Sequence, residues 1–399
     1  MKVAIMGFGT VGSGVAEIIK NHACIVSSKL KERLELAYIL DIRDFPGSEF
    51  EPYLTKDVND ILSDDSVNIV VETMGGLKPA YDFVKSALEK GKSVVTSNKE
   101  LVAAKGSELL SIARENGVNF LFEASVGGGI PVIRPLCQCL TANDITEING
   151  ILNGTTNFIL TKMFSEGETF ESALAEAQAL GYAEKDPTAD VEGLDAGRKI
   201  AILCSIASGI HILPSDVKTE GISKISLRDV SNAEKAGYVI KLIATAKKCA
   251  NGKYVCIVSP AFVRKTSMLA GVNGVFNAIM VKGDAVGEVM FYGPGAGKMA
   301  TASAVVADVI DCAKNNGVDR SESWKAPFDG SVNDSSELKC RLYATGKLTG
   351  ASIFGEAEII DNNPEHFAFI TETTDSYEKA KAEIENADGF VVENIIRLL

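Results

Sequence analysis

Histidine is scarce in this sequence, three residues in 399, and there is a single tryptophan. None of His22, His211 and His366 stands in a serine or cysteine nucleophile motif, and His366, after Glu365, lies in the polar C-terminal region. A histidine triad or acid–base pair is therefore not expected, and a catalytic proton must move through another group. The eight cysteines, at 24, 137, 139, 204, 249, 256, 312 and 340, form no CxxC pair. Cys137 and Cys139 have no nearby histidine to complete a zinc site, so reduced thiols are expected rather than disulfides or a metal centre. A formal net charge of −13 with no basic stretch argues against nucleic-acid and anionic-membrane partners. An anionic ligand then needs local positive potential. No apolar run approaches the roughly 20 residues of a membrane span. Strand-like Lys2–Met6 leaves no room for a signal peptide, and a cytoplasmic protein is expected.

What is present is ample apolar content, 46%, with an ordinary 23% of charged residues, which predicts folded structure nearly throughout. The length favours two or three domains. Over the first 125 residues, short apolar runs (Val3–Met6, Leu36–Leu40, Ile69–Glu72, Val94–Val95, Phe120–Phe122) alternate with helical patterns (Gly12–Lys20, Pro79–Lys90, Lys99–Glu115). That alternation predicts an α/β fold, a Rossmann-type doubly wound parallel sheet over residues 1–130. From about 131 to 315 the pattern becomes α+β: strands at Ile145–Gly154, Tyr254–Val263 and Phe276–Val281, and helices at Phe158–Gly167, Thr169–Leu180 and Leu194–Ser208. An apolar helix at 300–313 is expected to pack back on the first domain. The polar stretch Asn315–Ser336 reads as a linker, and 335–399 as a small β…βαβ module separate from the rest.

Gly7-Phe8-Gly9-Thr10-Val11-Gly12 follows a strand directly and opens a helix, the context that gives GxGxxG its meaning. The first glycine permits the tight turn, the second lets a pyrophosphate approach backbone N–H groups, and the third lets helix and strand pack closely. The helix N-terminus receives the diphosphate. The second strand runs into Asp41-Ile42-Arg43, which offers both an acid for a ribose 2′-OH and an arginine for a 2′-phosphate. NAD and NADP both stay open, with a lean to NADP through Arg43.

Further segments, in order, carry a resemblance: Thr73-Met74-Gly75-Gly76; Thr96-Ser97-Asn98-Lys99-Glu100-Leu101; Glu123 to Pro131; Asn153-Gly154-Thr155-Thr156-Asn157; Gly181-Tyr182-Ala183-Glu184-Lys185-Asp186-Pro187; Asp195-Ala196-Gly197-Arg198-Lys199; and Tyr292-Gly293-Pro294-Gly295-Ala296-Gly297. With the glycine loop they resemble homoserine dehydrogenase from residue 1 to about 315. The resemblance implies interconversion of L-aspartate 4-semialdehyde and L-homoserine with NAD(P), in threonine, methionine and isoleucine biosynthesis. It implies Lys199 as proton donor, Asp195 holding it, Glu184 with Gly181 at the substrate's amino group, and Lys99 near nicotinamide and substrate. Thr73, Met74, Gly75 and Gly297 would line the cofactor. It also implies a structural sodium ion held by Glu123 and the carbonyls of Val126, Gly128 and Ile130, and a homodimer or homotetramer. Physical chemistry agrees on the central pair, since Asp195 and Lys199 are four apart and share one face of a helix. Without the resemblance, that spacing reads as a surface ion pair.

Two rival functions lack their residues. An acylating semialdehyde dehydrogenase needs a nucleophilic cysteine in an active-site motif, and no cysteine here offers one. A nucleotide-sensing protein without catalysis has no need of Glu184, Asp195 and Lys199 together. Many members of the resembled family end in an amino-acid-binding ACT domain, βαββαβ. Residues 338–399 look like an abbreviated version, with too few residues between Leu338–Thr345 and Phe367–Thr371 for the usual helix and two strands. Threonine control is therefore not implied, and a dimerisation or structural role is equally compatible.

Overall fold

In the computed structural model, which describes residues 1–30, 33–315, 318, 322–350 and 357–399, the early apolar runs become β1 (Lys2–Met6), β2 (Glu35–Leu40), β3 (Leu54–Thr55), β4 (Val67–Glu72), β5 (Ser93–Thr96) and β6 (Phe120–Leu121). They pair in the order β3-β2-β1-β4-β5-β6, every pair parallel. The order reverses between β1 and β4. In such sheets the crevice beyond the carboxyl ends of the two strands flanking the reversal is where ligands bind. Consecutive residues Val3, Ala4, Ile5 and Met6 are all fully buried, so both faces of the strand are covered and it reads as a continuous apolar run. Helices Thr10–Asn21 and Lys298–Lys314 meet closely, since a Cβ on Gly14 would lie 3.0 Å from that of Ala302. They share one apolar core with Val3, Ile5 and Val71.

This first unit comprises Met1–Asn143, Ala201–Pro214 and Gly293–Phe328. The boundary expected near 130 thus falls at 143, and two later segments rejoin the nucleotide fold. Part of the expected linker is core: Trp324 is buried, its ring 5.5 Å from those of Phe122 and His211. A side chain on Gly106 would collide with it. Of that stretch, residues 316, 317 and 319–321 lie outside the described residues.

The second unit, Asp144–Ile200, Ser215–Tyr292 and Asp329–Leu399, is built on a mixed sheet. Its strands are β7 (Ile145–Ile151), β8 (Lys218–Thr219), β9 (Tyr238–Lys248), β10 (Tyr254–Arg264), β11 (Phe276–Gly283), β12 (Gly287–Pro294), β13 (Leu342–Leu348), β14 (Glu358–Asp361), β15 (Phe367–Ile370) and β16 (Phe390–Leu398). The order is β12-β11-β7-β9-β10-β16-β13-β15-β14, with β8 also on β10. The C-terminal strands are therefore not a separate module, which corrects the expectation. β16 pairs in parallel with β10, Ala261 opposite Arg397 and Phe262 opposite Leu398. One apolar cluster joins Val255 and Ile257 to Leu342, Phe369, Tyr377 and Phe390. Within the segment the order β16-β13-β15-β14, antiparallel throughout, is that of a βαββαβ sheet. The described residues between β13 and β14 hold no helix, and residues 351–356 lie outside the description.

Candidate functional site

The glycine loop is shaped as a cradle. Gly7 sits at φ +99°, a conformation that side chains oppose, with its N–H on Leu40 O at 2.8 Å. A Cβ on Gly12 would stand 1.9 Å from Gly7 O, so the helix starts against the strand only because Gly12 has no side chain. At Gly9 a Cβ would meet nothing within 4 Å. The space it leaves is open, as the approach of a diphosphate requires. Thr10 and Val11 open the helix itself.

Beyond β4, Thr73 fastens the second wall: its N–H reaches Met6 O at 2.9 Å and its hydroxyl Gly7 O at 2.9 Å. Two residues to which the sequence reading gave no role, Glu72 and Asn98, shape this wall. Glu72, fully buried, accepts the N–H groups of Met74 (2.7 Å) and Gly75 (3.2 Å) on one oxygen and the Thr96 hydroxyl (2.6 Å) on the other. Burial pushes its carboxyl above the usual range, against those hydrogen bonds. Asn98 caps the Lys99–Glu115 helix by accepting the Leu101 N–H at 3.1 Å, and donates to Gly76 O at 2.7 Å. Lys99 is the first residue of that helix, half-buried. The missed signal was an acid closing the apolar strand Val67–Glu72: a charge at the carboxyl end of a buried parallel strand seldom lacks a task.

At the end of β2, Asp41 and Arg43 stand together. The Asp41 carboxylate accepts the Phe8 N–H (2.8 Å), the Arg43 N–H (3.0 Å) and Arg43 Nε and Nη2 (2.9 and 2.8 Å). The Arg43 guanidinium and these N–H groups hold it well below the usual carboxylate range. Arg43 itself is 57% exposed, its guanidinium 5.1 Å from the Phe45 ring.

The expected cation loop is differently employed. Glu123 is buried and its carboxylate accepts three backbone N–H groups, of Val132 (2.7 Å), Ile133 (2.8 Å) and Arg134 (2.7 Å). Three backbone donors thus engage both oxygens of the carboxylate expected to help hold a cation. Gly128, at φ +58°, is required by packing, since a Cβ there would lie 2.2 Å from Gly295 O. Gly297 precedes the Lys298–Lys314 helix at φ +117° and its carbonyl accepts the Thr301 N–H at 3.0 Å. Beside Glu123, Asp308 is buried against Arg134 and the Glu123 N–H. Burial lifts it to about 7, Arg134 pulling down and the Glu123 charge pushing up. Among the described residues no group of three or more His, Cys, Asp or Glu is disposed to hold a metal ion.

In the second unit the Leu194–Ser208 helix brings Asp195 and Lys199 together as its i,i+4 spacing predicts, but inside the protein rather than on its surface. Lys199 Nζ donates to Asp195 Oδ2 at 2.8 Å and to Leu152 O at 2.7 Å. The Asn153 amide reaches Asp195 at 3.0 Å and Asp190 at 2.7 Å. Asn153 heads a motif that carries the resemblance but was given no role there, and Asp190 was not singled out. Gly181 (φ +76°) ends the turn after the Phe170–Ala179 helix, and Glu184 lies exposed in the loop that follows. Only its carbonyl is engaged, by Gln178 at 3.1 Å. Glu184 thus lies in the loop that leads into the short helix Thr188–Val191, which carries Asp190.

A doubly wound sheet with a bare glycine cradle at its reversal, together with an ammonium buried against a carboxylate, defines a dinucleotide-dependent oxidoreductase. A family model described as "Homoserine dehydrogenase, NAD binding domain" matches residues 7–123, and one described as "Homoserine dehydrogenase" matches 131–310. The homoserine dehydrogenase of Pseudomonas aeruginosa is 46% identical over 312 residues, 78% of this chain and 72% of that protein; that of Bacillus subtilis is 45% identical over 325 residues, 79% and 73%. The crystal structure of a homoserine dehydrogenase from Thiobacillus denitrificans superposes with a TM-score of 0.91 at 34% identity, covering 100% of this chain and 98% of that one. A hyperthermophilic archaeal homoserine dehydrogenase in complex with NADPH superposes with a TM-score of 0.66 at 32% identity, covering 78% and 98%. The chain belongs to the homoserine dehydrogenase family, oxidoreductases acting on a CH–OH group.

Proposed function

We propose that the protein reduces L-aspartate 4-semialdehyde to L-homoserine, and the reverse, with Lys199 as the group that gives and takes the proton on the substrate oxygen. The observation that carries this is the buried Lys199 ammonium, fixed by Asp195 Oδ2 and Leu152 O. When bound, the nicotinamide supplies and accepts the hydride. The protein's own work is to orient an ammonium toward an oxygen that gains charge as the carbonyl is reduced. Asp195 holds and aims that ammonium. Glu184, exposed on its loop, supplies a carboxylate for the substrate's α-amino group beside Gly181. Lys99, at a helix start beyond β5, provides positive charge on the nucleotide side. Gly7 to Gly12 with Thr73, Met74 and Gly75 hold the diphosphate region, and Gly297 adds to it.

For the cofactor, NADP is the preferred reading over NAD. Asp41 is already satisfied by Phe8 and Arg43, while Arg43, paired with Asp41 through Nε and Nη2, keeps its guanidinium 57% exposed at the strand end, where it can also meet a 2′-phosphate. A sodium ion fits the 123–130 loop only through the carbonyls of Val126, Gly128 and Ile130, in a structural role. Exposed Phe276 and Tyr292, stacked 5.3 Å apart, support self-association as a homodimer or homotetramer. No described helix is long and apolar enough to cross a membrane, in keeping with a cytoplasmic biosynthetic role. The deciding assay is oxidation of NADPH or NADH with aspartate semialdehyde, and the reverse reaction with homoserine. Absence of turnover in both directions with both cofactors overturns the proposal. K199A should lower kcat by about 10²-fold or more when assayed at a temperature where circular dichroism shows the variant still folded.

A further inference from the structure

Asn153 ends the segment that leaves β7 and begins the Gly154–Ser165 helix, and its amide has two separate employments. The side-chain carbonyl accepts the Thr156 N–H at 2.9 Å and the Thr156 hydroxyl at 3.1 Å, capping the helix. That fixes the flip of the amide. The NH2 faces the other way, at 2.7 Å from Asp190 Oδ1 and 3.0 Å from Asp195 Oδ2. An NH2 group carries two protons and no lone pair, so serving two carboxylate oxygens uses both protons and requires both oxygens to accept. Asp195 Oδ2 is the same atom that holds Lys199 Nζ. Two carboxylates gathered on one nitrogen would, without that donor, retain a shared proton to higher pH.

We infer that Asn153 is a positioning residue for the reaction: by donating to Asp190 and Asp195 together it holds the two carboxylates side by side, and through Asp195 it orients the Lys199 ammonium. The inference rests on the proposed role of Lys199. Its cause is specific to an amide, because a residue that capped the helix without donating would leave the two carboxylates in mutual repulsion. Charged groups on the flanking segments are exposed or engaged elsewhere. Asp186 turns to the Thr188 hydroxyl at 2.6 Å and Glu192 to Ser223 at 3.0 Å. Glu184 and Lys185 are exposed, Arg198 is half-buried on the Lys199 helix, and Lys241 is bound to Asn157, Val272 and Asn273.

The test uses the full chain and three variants, N153D, N153A and K199A. In N153D the new carboxylate can still cap the helix but cannot donate to Asp190 or Asp195 once ionised. N153D keeps the cap but sets a third carboxylate beside Asp190 and Asp195, so it should melt below the wild type, lose about tenfold or more in kcat at neutral pH, and show the acid limb of its kcat–pH profile displaced upward by about one unit. Its KM for NADPH should be unchanged. N153A, lacking cap and donor alike, should melt lower and show the same displaced limb, and it carries the measurement should N153D not fold. A uniform drop in kcat with an unmoved limb, or a wild-type profile, overturns the inference. K199A separates the two readings. Full activity in K199A removes the lysine mechanism itself, whereas an inactive K199A beside an N153D with wild-type pH behaviour removes only the part assigned to Asn153.

Discussion

At the scale of single residues, what matters is which charges the protein buries and what it gives them in return. Lys199 and Asp195 are charged partners inside the second unit, a placement that removing either one would penalise heavily. Asp308 is a different case. Its folded-state carboxyl titrates near 7 against an ordinary value near 4, so the folded protein keeps a proton that the unfolded chain has already released. Stability from this group is full below the ordinary carboxylate value and is lost as pH rises through about 7. Thermal melts should therefore show the protein losing stability from pH 5 to pH 8. D308N, which cannot titrate, should melt lower throughout and respond less to pH across that interval. Arg43 offers a cleaner readout. R43A should raise KM for NADPH about tenfold or more while changing KM for NADH only a few-fold, measured by initial rates with each cofactor. Equal effects on both would assign Arg43 to Asp41 alone.

At the scale of elements, the loop after β4 is held by the acid that ends the strand, Glu72. E72Q would turn an NH2 or a single carbonyl toward the N–H groups of Met74 and Gly75, which Glu72 now accepts on one oxygen. Loosening of Thr73–Gly76 should raise KM for the dinucleotide about five-fold or more with a smaller change in KM for homoserine; steady-state kinetics with each substrate varied in turn would check this. This element also marks how far the sequence could be read. Buried parallel strands announce themselves as apolar runs, and the observed β1, β2, β4 and β5 fall within two residues of those expected. β9 was passed over because Lys241 and Thr245 interrupt its pattern, yet both are buried, Lys241 bound to Val272 O and two asparagines. Burial without a carboxylate partner lowers the Lys241 ammonium to about 8. A lysine in a strand reads as a surface position, and only tertiary contacts show otherwise. The site was legible where spacing carries it, as in Gly7–Gly12 and Asp195–Lys199. It was not legible where a carboxylate's partners are backbone N–H groups, as for Glu123 and Glu72, because these come from local folding rather than from residue types.

At the scale of the whole molecule, each unit is assembled from three stretches of chain. The final segment, Asp329–Leu399, is one of the three stretches that make the second unit. Here that segment is integral to the second unit. Arg397, buried on β16, donates to Ser259 (2.6 Å), Ile243 O (3.0 Å) and Thr245 (2.9 Å). Truncation after Phe328 would strip these bonds and bare Val255 and Ile257. The shortened protein should lose its cooperative high-temperature melt and move largely to the insoluble fraction, as followed by calorimetry and sedimentation. A soluble product with unchanged melting would show the segment to be detachable after all.

The parallel pairing of β16 on β10 also sets an order of events during synthesis. β10 is made more than a hundred residues before its partner strand. Until then the Ala261–Phe262 end of its outer edge has open backbone groups, next to β8, which covers only Ile257 and Val258. Such an edge is an invitation to intermolecular pairing. Yield from refolding or rapid expression should accordingly be governed by how fast the last strand arrives, a kinetic hazard that the finished sheet does not reveal.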